Sequence, residues 1–138
     1  MFAKETHILV VDDSLNIRRI VVDALYRLGF SKVTTAEDAV EAMAKLVFFT
    51  KTTHRIGLIL SDLNMPGPSG LDFLKQVRGQ KDFASLPFLL VTTESEKGAV
   101  VEAAALGVSG YIVKPFSLDT LGKKIEGAWQ KHYANAAS

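Results

Sequence analysis

The sequence predicts a doubly wound α/β fold, a five-stranded parallel sheet with helices on both faces. Three observations carry that expectation. Short apolar runs alternate with helical stretches from start to finish, the pattern of repeated strand–helix–strand units. Three of the runs are four-residue blocks without polar alternation, as strands covered on both faces require. The connections are short, with no internal linker or low-complexity tract, so right-handed crossovers are implied throughout.

The first strand is expected at Ile8-Leu9-Val10-Val11. In the helix after it, Ile17, Ile20, Val21, Ala24, Leu25 and Leu28 make one apolar stripe, closed by Gly29 where a left-handed cap fits. Lys32-Val33-Thr34 is a weaker strand, followed by a helix whose stripe reads Ala36, Val40, Met43, Ala44 and Val47. Gly57-Leu58-Ile59-Leu60 gives the third strand, and Leu71 to Val77 a shorter, less regular helix. Phe88-Leu89-Leu90-Val91 gives the fourth, with a helix at Val100, Ala103 and Ala104 that stops at Gly107. Tyr111-Ile112-Val113 is the last strand. The final helix carries Leu118, Leu121, Ile125, Ala128 and Trp129, with Ser117 as N-cap. One domain is expected over 1–138, with a core of about 6–132 and a short tail at 133–138.

Composition narrows the function. A hydrophobic share of 48% in 138 residues supports one ordinary core. With 16 basic and 15 acidic side chains, no bulk charge favours nucleic acid or an anionic membrane. The absence of cysteine removes disulfides, thiolate metal sites and cysteine nucleophiles. Glu5 and His7 interrupt any secretory pattern, and no apolar stretch reaches membrane-spanning length, so a cytoplasmic domain is expected. His7, His54 and His132 are isolated and make no triad or metal set.

In an open parallel sheet, ligands bind beyond the carboxyl ends of the strands. Asp12-Asp13 follows the first run, Asp62 the third, Thr92-Thr93 the fourth and Lys114-Pro115 the fifth. Acids, a hydroxyl and an amine are thus expected on one rim. Three carboxylates together repel, and a hard divalent cation such as Mg²⁺ removes the conflict. A carboxylate beside such an ion can act as a nucleophile toward phosphorus and form an aspartyl phosphate. An ammonium and a hydroxyl, as in Lys114 and Thr92, suit the remaining phosphoryl oxygens.

Val10-Val11-Asp12-Asp13, Ser61-Asp62-Leu63-Asn64-Met65-Pro66 with Gly70, Val91-Thr92, and Tyr111-Ile112-Val113-Lys114-Pro115-Phe116 together resemble the receiver domain of two-component response regulators. The similarity runs from about Thr6 to His132 and is closest to stand-alone chemotaxis regulators of the CheY type. It implies the flavodoxin-like strand order 2-1-3-4-5, known for that family. It implies Asp62 as phosphoacceptor, and Mg²⁺ on Asp13, Asp62 and the Asn64 carbonyl, with Asp12 holding a metal-bound water. Lys114, before a cis proline, would pair with a phosphoryl oxygen. Thr92 would move toward it, and Tyr111 would then swing inward. Asn64 and Glu94 would tune self-hydrolysis. A histidine kinase is the implied donor, and the flagellar motor switch the implied target, reached through the fourth helix, fifth strand and last helix. The module would not be an enzyme beyond its own phosphorylation and dephosphorylation. A monomer is expected, there being no output domain to dimerise.

The pattern has departures. Leu63 stands where a close chemotaxis relative has tryptophan, Ser14 replaces a bulkier residue, and the stretch from Val47 to Arg55 is longer than usual. Plainer readings also exist. Asp12-Asp13 alone could favour a helix N-terminus, Thr92 could be an ordinary strand-end hydroxyl and Tyr111 a half-buried aromatic. Phe48-Phe49 is expected to cover the core where the second helix ends. Among rival functions, a metal-dependent aspartyl phosphatase would need an acid at position 14, where Ser14 stands. A flavin carrier would need a hydroxyl- and glycine-rich loop where the two aspartates are. A phosphorelay intermediate or phosphate sink without a motor target is the alternative within the leading class.

Overall fold

Why the strands read as unbroken apolar runs is plain from where their alternate residues go. In the computed structural model, which describes residues 1–93 and 97–134, Leu9 and Val11 face one core while Ile8 and Val10 face another. The elements are β1 (His7–Val11), α1 (Leu15–Arg27), β2 (Lys32–Ala36), α2 (Ala39–Thr50), β3 (Ile56–Asp62), α3 (Gly70–Gly79), β4 (Phe88–Thr93), α4 (Lys97–Ala105), β5 (Gly110–Lys114) and α5 (Leu118–Trp129). A short 3₁₀ turn (Lys81–Phe83) precedes β4, and a π-helical turn (Gln130–Ala134) prolongs α5. The sheet is parallel throughout with the order β2-β1-β3-β4-β5. The expected fold and strand order are both present.

Helices α2, α3 and α4 cover one face through Leu46, Phe73, Leu74 and Ala103, with Phe73 packed on Phe88 at a ring distance of 5.6 Å. Helices α1 and α5 cover the other through Val21, Leu25, Leu121 and Ile125. No described helix is long and apolar enough to cross a membrane.

Each strand runs further than its apolar block, and the extra residues matter. The ladder pairs Asp62 with Val91 and Thr93 with Lys114, so functional side chains occupy the last paired positions. Helix starts are set by side-chain caps. Ser14 accepts from the Ile17 N–H, Asp38 from Glu41 and Ser117 from Thr120, while Ser69 and Asp72 form a reciprocal capping box. Because Ser14 does the capping of α1, Asp12 and Asp13 stay outside the helix. Gly29 and Gly107 end α1 and α4 with φ of 98° and 83°, as the stop signals predict.

Two stripes need correction. In α2 the buried side chains are Ala39, Ala42 and Leu46, whereas Val40 and Val47 are exposed and Ala36 ends β2. The helix is apolar nearly all round, so hydrophobic spacing alone does not fix its phase. In α1, Ile20 likewise faces water at 58% exposure. Phe49 packs against the core, but Phe48 remains 59% exposed and does not cover it.

Candidate functional site

Strand order is what gathers the chemistry. With β3 central, β1 beside it and β5 at the edge, the carboxyl ends bring residues distant in sequence to one rim. One oxygen from each of Asp12, Asp13 and Asp62 lies within 4.8 Å of the others. The Lys114 ammonium donates to Asp12 Oδ2 at 3.0 Å and to Asp62 Oδ1 at 3.1 Å. Asp12 and Asp62 are buried, at 3% and 8% exposure, while Asp13 is exposed. The Lys114–Pro115 bond is cis.

Other groups fix Asp12. Its Oδ1 accepts from the Ser14 N–H at 2.9 Å, and its backbone carbonyl accepts from Arg18 Nη1 at 2.6 Å. Arg18 does not stand out in the sequence as a site residue and Ser14 does so only as a departure from the family pattern, because both contacts depend on how the chain turns after β1.

Burial is the largest influence on Asp62 and, with the neighbouring Asp12 charge, raises its pKa against the opposing pull of Lys114. Burial also works to lower the Lys114 pKa, but hydrogen bonding to Asp12 and the charges of Asp62 and Asp12 outweigh it and hold it above the ordinary value. The folded state therefore binds the Asp62 proton more tightly than the unfolded chain. The stability this adds is complete below the unfolded carboxylate value and is lost as pH rises through the folded one. Relative to wild type without metal, Asp62→Asn is expected to gain stability as pH rises from the unfolded carboxylate value through the folded one, and no further above it. Urea midpoints across that range measure it, and a flat difference would contradict the assignment.

Gly70 is a structural requirement of the rim. A Cβ there would fall 2.2 Å from the Asp62 carbonyl oxygen and 2.8 Å from the Leu63 Cα, while the Gly70 N–H donates to the Leu63 carbonyl at 2.7 Å. Gly70→Ala must push backbone against backbone. A loss of about 1–3 kcal/mol is expected in denaturant unfolding, together with weaker metal binding because the strand end carrying Asp62 moves.

The remaining expected residues have local contacts of their own. Thr92 is buried, and its hydroxyl donates to the Thr93 carbonyl at 3.2 Å, which keeps it on its own strand. Tyr111 is 38% exposed, with the Lys124 ammonium 5.0 Å from its ring centre. Asn64 follows β3 and is exposed. Glu94 lies outside the described residues. The oxygen-only set of Asp12, Asp13 and Asp62 fits a hard divalent ion. Lys114 alone does not balance the three acids, so an added cation would complete the charge.

A family model described as the response regulator receiver domain matches residues 8–126. The chain belongs to that family. This receiver domain is 43% identical over 119 residues to chemotaxis protein CheY1 of Helicobacter pylori, covering 86% of this chain and 93% of that one. It is 38% identical over 128 residues to chemotaxis protein CheY-3 of Vibrio cholerae, covering 93% and 95%. Among solved structures it resembles chemotaxis response regulator CheY4 of Vibrio cholerae, with a TM-score of 0.77, 38% identity and coverage of 90% and 98%. The receiver domain is accordingly a signalling module of the CheY-like kind.

Proposed function

We propose that this receiver domain is a chemotaxis switch phosphorylated on Asp62. The observation that carries the reading is the Lys114 ammonium bridging Asp12 and Asp62 beside Asp13 at the sheet's carboxyl rim. A carboxylate oxygen of Asp62 attacks the phosphorus of a phosphohistidine on a kinase. The P–N bond breaks, and the imidazole leaves with a proton from solvent. Bound Mg²⁺, held by Asp13, Asp62 and the Asn64 carbonyl with Asp12 on its water, would supply positive charge to the phosphoryl oxygens. Lys114 exchanges its carboxylate partner for a phosphoryl oxygen. Thr92 gives up the Thr93 carbonyl and turns its hydroxyl to the new group, leaving space beneath Tyr111.

The outward Tyr111 fits an inactive state, and the face of α4, β5 and α5 is where a target would read its inward turn. Asn64 and Glu94 would tune the lifetime of the phosphorylated form. The chemotaxis names of the relatives support a flagellar motor switch as target and a cytoplasmic setting. Phosphorylation is expected to raise affinity for a motor-switch peptide by at least about tenfold, since smaller couplings transmit little. Fluorescence titration of acyl phosphate-treated protein measures it. Unchanged affinity would leave a phosphorelay intermediate or phosphate sink as the function.

A further inference from the structure

The outward face of α2 carries an apolar stripe that the fold leaves uncovered. Val40, Val47 and Phe48 are 69%, 45% and 59% exposed, and Ala44 among them is exposed too. At helical spacing these positions share one face, opposite the buried Ala39, Ala42 and Leu46. Phe48 is held in place. Its ring meets Phe49 edge-on at 5.0 Å, and Phe49 meets His7 at 4.6 Å. Single exposed apolar side chains are ordinary, but a contiguous stripe with an anchored aromatic marks an interaction surface.

We propose that this stripe pairs with its own copy, α2 against α2, antiparallel about a two-fold axis at Ala44. The sequence is self-complementary in that register. Val40 of one copy meets Phe48 of the other, and Ala44 meets Ala44, where a small side chain lets the helices approach. The ends match in charge. Glu37, exposed just before the N-cap Asp38, faces Lys51, the exposed C-cap residue of the second copy. Parallel pairing would set Glu37 against Glu37 and Lys51 against Lys51. The antiparallel arrangement also sets each helix's positive N-terminal end beside the other's negative C-terminal end. A two-fold contact in which each copy supplies both halves is the common form of dimer interface.

One helix pair falls short of the about 1,200 Å² at which standard interfaces begin, so the dimer is weak and reversible. The monomer expected from the sequence is thereby placed in equilibrium with a dimer through α2. That helix lies over β2, β1 and β3, on the side of the sheet away from β5, so pairing leaves the α4–β5–α5 face clear.

Sedimentation equilibrium of the whole chain, from micromolar to millimolar, tests this. A monomer–dimer equilibrium is expected, and Phe48→Glu should weaken it by roughly thirtyfold, the scale of a buried aromatic anchor. Glu37→Lys and Lys51→Glu should each weaken it severalfold, and the double variant should recover wild-type association. Because the chain has no cysteine, Ala44→Cys should oxidise to a disulfide dimer faster than Gln76→Cys, exposed on α3. A strictly monomeric wild type overturns the proposal, even if it binds an amphipathic helix from another protein. So does a dimer indifferent to Phe48→Glu. A double charge swap no tighter than the single variants overturns the register.

Discussion

Asp62→Ala is expected to lose all labelling by a small acyl phosphate in the presence of Mg²⁺, read as absence of a phospho-adduct by intact mass. The three acids of the rim are not equivalent, and their surroundings separate them. Asp12 has both carboxylate oxygens engaged, one by the Ser14 N–H and one by Lys114. Asp13 is exposed, where water competes for any phosphorus that approaches. Asp62 ends β3, is buried, and sits where burial disfavours its charge, which leaves the carboxylate poorly solvated and more reactive once a cation holds it ionised. The loss should be complete, since neither neighbour is placed to substitute. An undiminished adduct on the variant, or its transfer to Asp12 or Asp13, would reject Asp62 as the acceptor.

How much of this was legible in the sequence depends on the physics behind each feature. The rim could be read because polar residues that terminate apolar runs of a parallel sheet must lie at its carboxyl edge, and Asp12, Asp62 and Lys114 each end such a run. Their convergence needs only the strand order. The phase of α2 could not be read, because Val40 and Val47 are as apolar as Ala42 and Leu46 and only packing decides between them. The Arg18 contact to the Asp12 carbonyl depends on the turn that Ser14 initiates after β1. Gly70 belongs to a recognisable motif, yet its physical necessity appears only when the chain beyond Asp62 folds back over the start of α3. The Thr92 hydroxyl donates to the Thr93 carbonyl, a rotamer choice that no spacing rule contains.

Lys114→Ala separates the two jobs of the lysine. Without metal, its ammonium is the counter-ion of two buried carboxylates. Removing one partner of a buried ion pair strands the other, so the variant should lose about 3 kcal/mol of stability at neutral pH in metal-free urea unfolding. Uptake of a proton by Asp62 limits the loss, and lowering the pH should shrink it. Mg²⁺ should return more stability to the variant than to wild type. The ion then meets three acids unopposed, and saturation at a hundred times the dissociation constant adds about 2.7 kcal/mol. The variant should still take up phosphate, because Asp62 and the metal ligands remain. It should not gain affinity for a motor-switch peptide, because in the proposed relay the ammonium ties the phosphoryl group to the end of β5, the strand that also carries Tyr111. Equal metal-free stability of variant and wild type would contradict the ion-pair geometry. Full partner binding by the phosphorylated variant would contradict the relay while leaving the phosphoacceptor assignment intact.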